Sequence, residues 1–423
     1  MSVAVAMPTR HGWGVLLPVV PLCLLGLFSI EASVGVDEGM AVETSKQLVF
    51  ILAGLSALVT ACFIGYHRLG RMSYSLFFLC IIVLGWLAAD HCVNLPLVAA
   101  QRNARRWLRA GPVQIQPSEL AKIAYVLALA WYLRYKKSYR TMAGLVPPFI
   151  LTLVPMALIL IQPDLGTVML FLPVLFAMLY AAGARVKHLM TVVLLAILAM
   201  PFFWMKIKSY QRLRVTGVVL QAPLLRDYLR EHPGVWDSIR PKDMDAKHWR
   251  KALEEWGTDS GFQLVRSKLA IGSGGLTGYG WNDGPFVHYN FLPEKHNDFI
   301  FAMIAHQWGL LGSLLVIGCY AMFVLFGFDI AATTQDPFGR LVAVGLTTMI
   351  AVQALTNLCM TVGLGPITGV TLPFVSAGGS SIIACFASVG LLLSLPYHRP
   401  TLIANPPFEF DEDREREFVP ATR

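Results

Sequence analysis

Ten apolar runs, each long enough to cross a lipid bilayer as a helix, dominate this 423-residue sequence and leave few folds open to it. They lie near 13–32, 47–66, 73–93, 118–134, 142–161, 165–183, 187–204, 299–327, 340–362 and 380–396. A helix needs roughly 20 residues to cross the hydrocarbon core. Helix is also the state required, because an open strand in lipid would leave its backbone groups unpaired. The chain therefore reads as an all-α polytopic membrane protein of about ten transmembrane helices with one large extracytoplasmic loop. Charged residues make up 14% of it, against roughly 25% in an average soluble chain.

The runs divide the chain into helices 1–7 over 1–204, a large loop over 205–298, helices 8–10 over 299–399 and a charged tail over 400–423. An N-terminal apolar run after Arg10 could be a signal peptide, but it is long for one and no small-x-small cleavage site follows. It reads as the first span. Orientation follows from the short loops. Arg68 and Arg71, then Arg134, Lys136, Lys137 and Arg140, then Arg185 and Lys187 fall on one side, while Glu31, Asp37, Glu38 and Glu43 fall on the other. The positive-inside rule then places both termini in the cytoplasm. The net charge of +8 belongs to these loops, and nucleic acid is not needed to explain it. All seven cysteines lie in or at the ends of apolar runs without a CxxC spacing, so neither a disulfide framework nor a zinc site is indicated.

Within the large loop, Leu224 to Thr258 is dense in charges of both signs and reads as a small helical insertion. Gly261 to Leu276 opens on an amphipathic run (Phe262, Leu264, Val265, Leu269, Ile271) suited to lying on the membrane surface. A second outer loop, Gln101 to Gln116, carries Arg102, Arg105, Arg106 and Arg109 where positive charge is disfavoured. Either an anionic ligand holds them there, or they snorkel to lipid headgroups.

Four motifs could carry chemistry, each with a plainer alternative. In Phe291-Leu-Pro-Glu-Lys-His-Asn-Asp298, Glu294 and Asp298 stand four apart at the mouth of a membrane helix. A half-buried carboxylate there could take a proton from a sugar hydroxyl, or Asn297 or Asp298 could cap the helix. In Gln116-Pro-Ser-Glu-Leu-Ala-Lys122, Glu119 and Lys122 share a helix face and can pair. An ion pair in a span is expensive, so this one is interfacial or lines a polar cavity. In Gln162-Pro-Asp-Leu-Gly-Thr167, Asp164 is a helix cap or part of a site. In Gly365 to Ser381, two prolines and several glycines beside Ser376, Gly378, Gly379 and Ser380 suggest broken helix at membrane depth. Its amides before the last helix would suit an anion. By the topology above, all four lie at the outer face and suggest one cation-rich cleft.

These motifs resemble the SEDS family, known from its RodA and FtsW branches. The resemblance rests on Ala104-Arg-Arg-Trp107, Gly111-Pro, Gln116-Pro-Ser-Glu-Leu-Ala-Lys122, Gln162-Pro-Asp-Leu-Gly-Thr167, Tyr210-Gln-Arg-Leu-Arg214, Leu269-Ala-Ile-Gly-Ser-Gly-Gly275 and Phe291-Leu-Pro-Glu. It covers nearly the whole chain after the first two spans. Met360-Thr-Val-Gly-Leu with Pro366-Ile-Thr-Gly369 is closer to the RodA, cell-elongation branch. The chain departs from the family pattern in several places. Asn297 stands for a usual threonine, His306 and Gln307 for a usual acidic pair, Ala377 for a usual tyrosine, and the 224–258 insertion is longer than usual.

The resemblance implies a peptidoglycan glycosyltransferase that polymerises lipid II at the outer face of the bacterial cytoplasmic membrane, with Asp298 as catalytic base. Arg106, Lys122, Arg212 and Arg214 would face the leaving diphosphate, Glu119 would orient Lys122, and a divalent metal, magnesium or manganese, could assist through the substrate phosphates. A class B penicillin-binding transpeptidase and other elongation-complex membrane proteins are the partners implied. A lipid II flippase or other transporter, a division-type FtsW paralogue and a non-catalytic scaffold are the competing readings. A transporter would favour midplane charges and inverted repeats, and the sequence shows little of either.

Overall fold

The computed structural model describes residues 12–34, 40–90, 98–101, 104–110, 113–136, 138–206, 261–289, 291–292 and 296–397, with isolated positions between 212 and 251. In chain order the helices are α1 (Leu16–Val34), α2 (Met40–Ile64), the short α3 (Tyr66–Arg71), α4 (Ser73–Ala89), α5 (Pro117–Leu133), α6 (Val146–Ile161), α7 (Leu165–Ala181) and α8 (Val186–Lys206). Then come α9 (Phe262–Ser273), the short α10 (Pro285–His288), α11 (Ile300–Thr333), α12 (Pro337–Val362) and α13 (Gly379–Tyr397). Each of the ten expected runs forms a helix. Six are long apolar helices within α1, α2, α6, α11, α12 and α13, and α4, α7 and α8 are shorter apolar ones.

The tenth span, α5, is the axis of the bundle. Nearly every residue from Pro117 to Leu133 is buried, Glu119 and Lys122 included, as befits a helix apolar almost all round. It packs against α4, α6, α7, α12 and α13. Beside it α2 and α13 run in close contact. A Cβ on Gly390 would lie 2.2 Å from the Leu58 carbonyl oxygen, and one on Gly54 would lie 2.5 Å from the Phe386 ring. Small residues let membrane helices approach this closely when lipid provides no hydrophobic drive. Outward, side chains such as Leu195 (56% exposed) and Leu311 (63%) face the surroundings, where hydrocarbon covers them.

Three features differ from the sequence reading. The arginine-rich loop is not bare coil but a three-stranded antiparallel sheet of β1 (Val98–Gln101), β2 (Ala104–Ala110) and β3 (Val113–Ile115). Val98 pairs with Leu108, and Leu108 with Ile115. Strands of three to seven residues carry too little periodicity to stand out beside the spans. The amphipathic segment, as α9, docks on α11 and α12 instead of lying free on the surface. Leu264, Ser267 and Ala270 are buried in that contact, and the Ser267 hydroxyl donates to the Thr361 carbonyl at 2.9 Å. Val265 and Leu269 stay exposed.

Third, α11 is broken. Gly309 has φ +62° inside it. The freed backbone groups are taken up by the segment after α9. Tyr279 and Gly280 N–H donate to the His306 and Gln307 carbonyls at 3.1 and 2.9 Å, and Leu310 and Leu311 N–H donate to Gly275 and Leu276 at 2.9 and 3.2 Å. Non-helical backbone at such depth is stable only with partners of this kind.

Candidate functional site

The connections before α5, α7, α11 and α13 converge at one end of the bundle. Arg106, on β2, reaches across to the α6–α7 turn, where its Nε donates to the Gln162 carbonyl at 3.0 Å and a terminal nitrogen donates to the Pro163 carbonyl. The other terminal nitrogen lies 3.7 Å from Asp164. Asp164 caps α7, accepting from the Thr167 N–H at 3.3 Å and its hydroxyl at 2.9 Å. It also accepts from Gln116 Nε2 at 3.2 Å. The structure thus shows Asp164 as the cap of α7 and brings Arg106 and Gln116 to the same carboxylate. Gln116 N–H in turn donates to Ser380 Oγ at 3.0 Å, so β2, the α7 cap and the start of α13 form one network.

Deeper in, Glu119 and Lys122 pair at 2.9 Å with 7% and 4% of their side chains exposed. Lys122 also donates to Gln353 Oε1 at 2.8 Å. The Gln353 amide donates to the Thr371 carbonyl at 3.1 Å, and Thr371 and Ser381 share a hydrogen bond at 3.0 Å. A buried cation is tolerable only with such partners.

Asp298, half-buried, immediately precedes Phe299, the N-cap of α11. The capping position therefore holds a side chain with no acceptor. Asp298's carboxylate lies against Gly369, whose φ is +73°, and a Cβ there would sit 3.2 Å from Oδ2. The segment 364–378 is irregular backbone with Leu372, Phe374, Val375 and Ser376 buried, as its prolines and glycines suggest.

The remaining expected site residues fare differently. Ser376 Oγ accepts from Leu372 N–H and donates to the Asn297 carbonyl, both at 2.8 Å, so its one proton is committed to the scaffold. Gly379 is where α13 meets α2, and a Cβ there would fall 2.5 Å from the Phe50 ring. Among the described residues, Ser381 and Thr371 lie near the Cβ position of Gly378. Arg212 is buried and donates to the Arg240 carbonyl at 2.9 Å. Arg214 and Glu294 lie outside the described residues, as do most of the 224–258 insertion and the 400–423 tail. Gln353 and Asn357 escaped the sequence reading. Their signal was two amides four apart in an otherwise apolar span.

A helical bundle crossing the membrane many times, with buried ionisable groups collected beneath loops at one end, defines a polytopic membrane protein with a polar site at that end. The model of the cell cycle proteins FtsW, RodA and SpoVE matches residues 13–222 and 243–400, and the chain belongs to that family. It is 30% identical to peptidoglycan glycosyltransferase RodA of Treponema pallidum over 90% of this chain and 96% of that one. It is 33% identical to peptidoglycan glycosyltransferase MrdB of Escherichia coli K12, over 91% and 94%. Against the probable peptidoglycan glycosyltransferase FtsW of Bacillus subtilis the identity is 31%, over 91% and 90%. A solved structure described as coordinating polymerization and crosslinking in a peptidoglycan synthase complex superposes with a TM-score of 0.71 at 26% identity, covering 95% of this chain and 100% of that one. Thermus thermophilus RodA superposes with a TM-score of 0.60 at 26% identity, over 92% and 97%.

Proposed function

We propose that this protein is a peptidoglycan glycosyltransferase that polymerises lipid II at the outer face of the bacterial cytoplasmic membrane, in a RodA-like elongation role. Its relatives' names support the activity. The observation that carries the mechanism is the carboxylate of Asp298, held against Gly369 at the start of α11, at the end of the bundle where Arg106 lies. Both termini are cytoplasmic in this reading.

Asp298 removes the proton from the 4-hydroxyl of the acceptor N-acetylglucosamine. That oxygen forms a bond to C1 of the donor N-acetylmuramic acid, with inversion, as the C1–O bond to undecaprenyl diphosphate breaks. The diphosphate leaves with the electron pair, already a stable anion, and needs cations more than a general acid. Arg106, with 24% of its side chain exposed, can meet it directly. Lys122, at 4%, is paired with Glu119 and holds Gln353 beneath the site. Among the described residues no three His, Cys, Asp or Glu side chains converge. Magnesium or manganese, if it takes part, would be held through the substrate phosphates. A class B transpeptidase and other elongation proteins are the partners proposed; the synthase complex among the solved structures supports a crosslinking partner.

The test is Asp298→Asn in purified protein supplied with lipid II. A placed general base contributes about 10²–10⁴-fold, so glycan synthesis should fall by about 100-fold or more. Polymerisation near the wild-type rate would remove the base from the mechanism.

A further inference from the structure

We propose that Asn357 is a positioning residue for the Asp298 carboxylate. The proposal deepens the reading of Asp298 as general base and rests on it.

Asn357 is fully buried in α12. Its amide nitrogen carries two protons, and the structure uses both. One goes to the Asp298 carbonyl at 2.7 Å and the other to the Val370 carbonyl at 2.6 Å. A single side chain thus ties the peptide that leaves Asp298 to the residue next to Gly369, the glycine against which the carboxylate lies. The tie is part of a strap of three successive carbonyls. His296 accepts from Ala377 N–H at 2.9 Å, Asn297 from Ser376 Oγ at 2.8 Å and Asp298 from Asn357. Phe299, immediately after, is 1% exposed.

With the peptides on both sides of Asp298 held and its neighbour buried, the direction of its Cα–Cβ bond is set by the scaffold. Gly369 then limits where Oδ2 can go. Gln353, one helical turn before Asn357 and so on the same face, holds the next carbonyl of the same segment, Thr371, at 3.1 Å. The two amides form a ladder from the Lys122 pair to the catalytic end. A helix-packing asparagine would need only one backbone acceptor, and nothing would require that acceptor to belong to the proposed base.

Misplacing a catalytic group by about 1 Å can cost about 10²-fold in rate. In lipid II polymerisation by the purified full-length chain, Asn357→Ala is expected to lower kcat by about 10- to 100-fold while KM changes by less than about threefold. In an Asp298→Asn background the same substitution should produce no further loss, because a residue acting through Asp298 has nothing left to position. Should the alanine variant not fold, Asn357→Asp keeps size and shape with at most one donor and carries the same comparison. A kcat within twofold of wild type beside an inactive Asp298→Asn overturns the positioning role and leaves the base in place. An additional loss in the Asp298→Asn background overturns it too. An active Asp298→Asn overturns the base, and the positioning role with it.

Discussion

Lys122 and Gln353 meet inside the bundle, the ammonium donating to the amide oxygen at 2.8 Å. Four residues after Gln353 on the same helix, Asn357 holds the carbonyl of Asp298. An ion pair on the central helix and a carboxylate at the start of another are thereby connected through one face of α12.

The first prediction concerns that ion pair. Removing one partner of a buried pair costs about 3–5 kcal/mol, because the other charge is left uncompensated. Lys122→Met should therefore lower the thermal unfolding midpoint in detergent sharply. Glu119→Gln together with Lys122→Met should recover most of the stability without recovering glycan synthesis. Single variants as stable as wild type would contradict the buried pairing.

Asp164 separates two duties. Asparagine caps a helix about as well as aspartate does, yet it brings no charge to Arg106. Asp164→Asn should keep α7 and lose the ion pair, whereas Asp164→Ala loses the cap as well, for about 1 kcal/mol more. Denaturation of the two variants side by side measures the difference, and equal stabilities would show that the cap contributes nothing.

Gly379 tests packing against ligand binding. A Cβ at this position meets the Phe50 ring at 2.5 Å, so Gly379→Ala should destabilise by about 1–3 kcal/mol through overpacking. Adding Phe50→Ala opens the space and should restore part of the loss. If polymerisation falls while the unfolding midpoint holds, and Phe50→Ala does not help, Gly379 serves the substrate.

Gly309 holds the break in α11. Its φ of +62° is combined with a Cβ position 2.5 Å from Gly278 N and Leu276 O. Gly309→Ala should cost about 1–3 kcal/mol from the backbone conformation alone, with further loss from the clash. Hydrogen exchange at Tyr279, Gly280, Leu310 and Leu311 would report it, since their N–H groups cross the break.

Much of the candidate site was legible as residue types. Asp298, Arg106, Glu119, Lys122 and Asp164 stand out because a charge at the end of, or inside, an apolar span is costly to keep. Gln353 and Asn357 were harder to see, since a neutral amide in a span gives little sign of its partners. Ser376 and Gly379 read as ligand contacts from sequence because backbone amides before a helix suit an anion. In the structure Ser376 bonds to Asn297 and Leu372, and Gly379 makes room for Phe50. Which of the two uses a small residue serves depends on what faces it from elsewhere in the chain.

The sequence by itself determined the state of the backbone. Ten apolar runs in a medium without hydrogen-bonding water can only be helices, and local spacing already pairs Glu119 with Lys122 and caps α7 with Asp164. Only the tertiary structure decided which polar groups meet across long separations: Arg106 with the turn before α7, Gln116 with Ser380, Asn357 with Asp298. Hydropathy sorts segments between lipid and water but assigns no partner to a buried donor. That choice is made when the helices pack and each polar group must find an acceptor within reach.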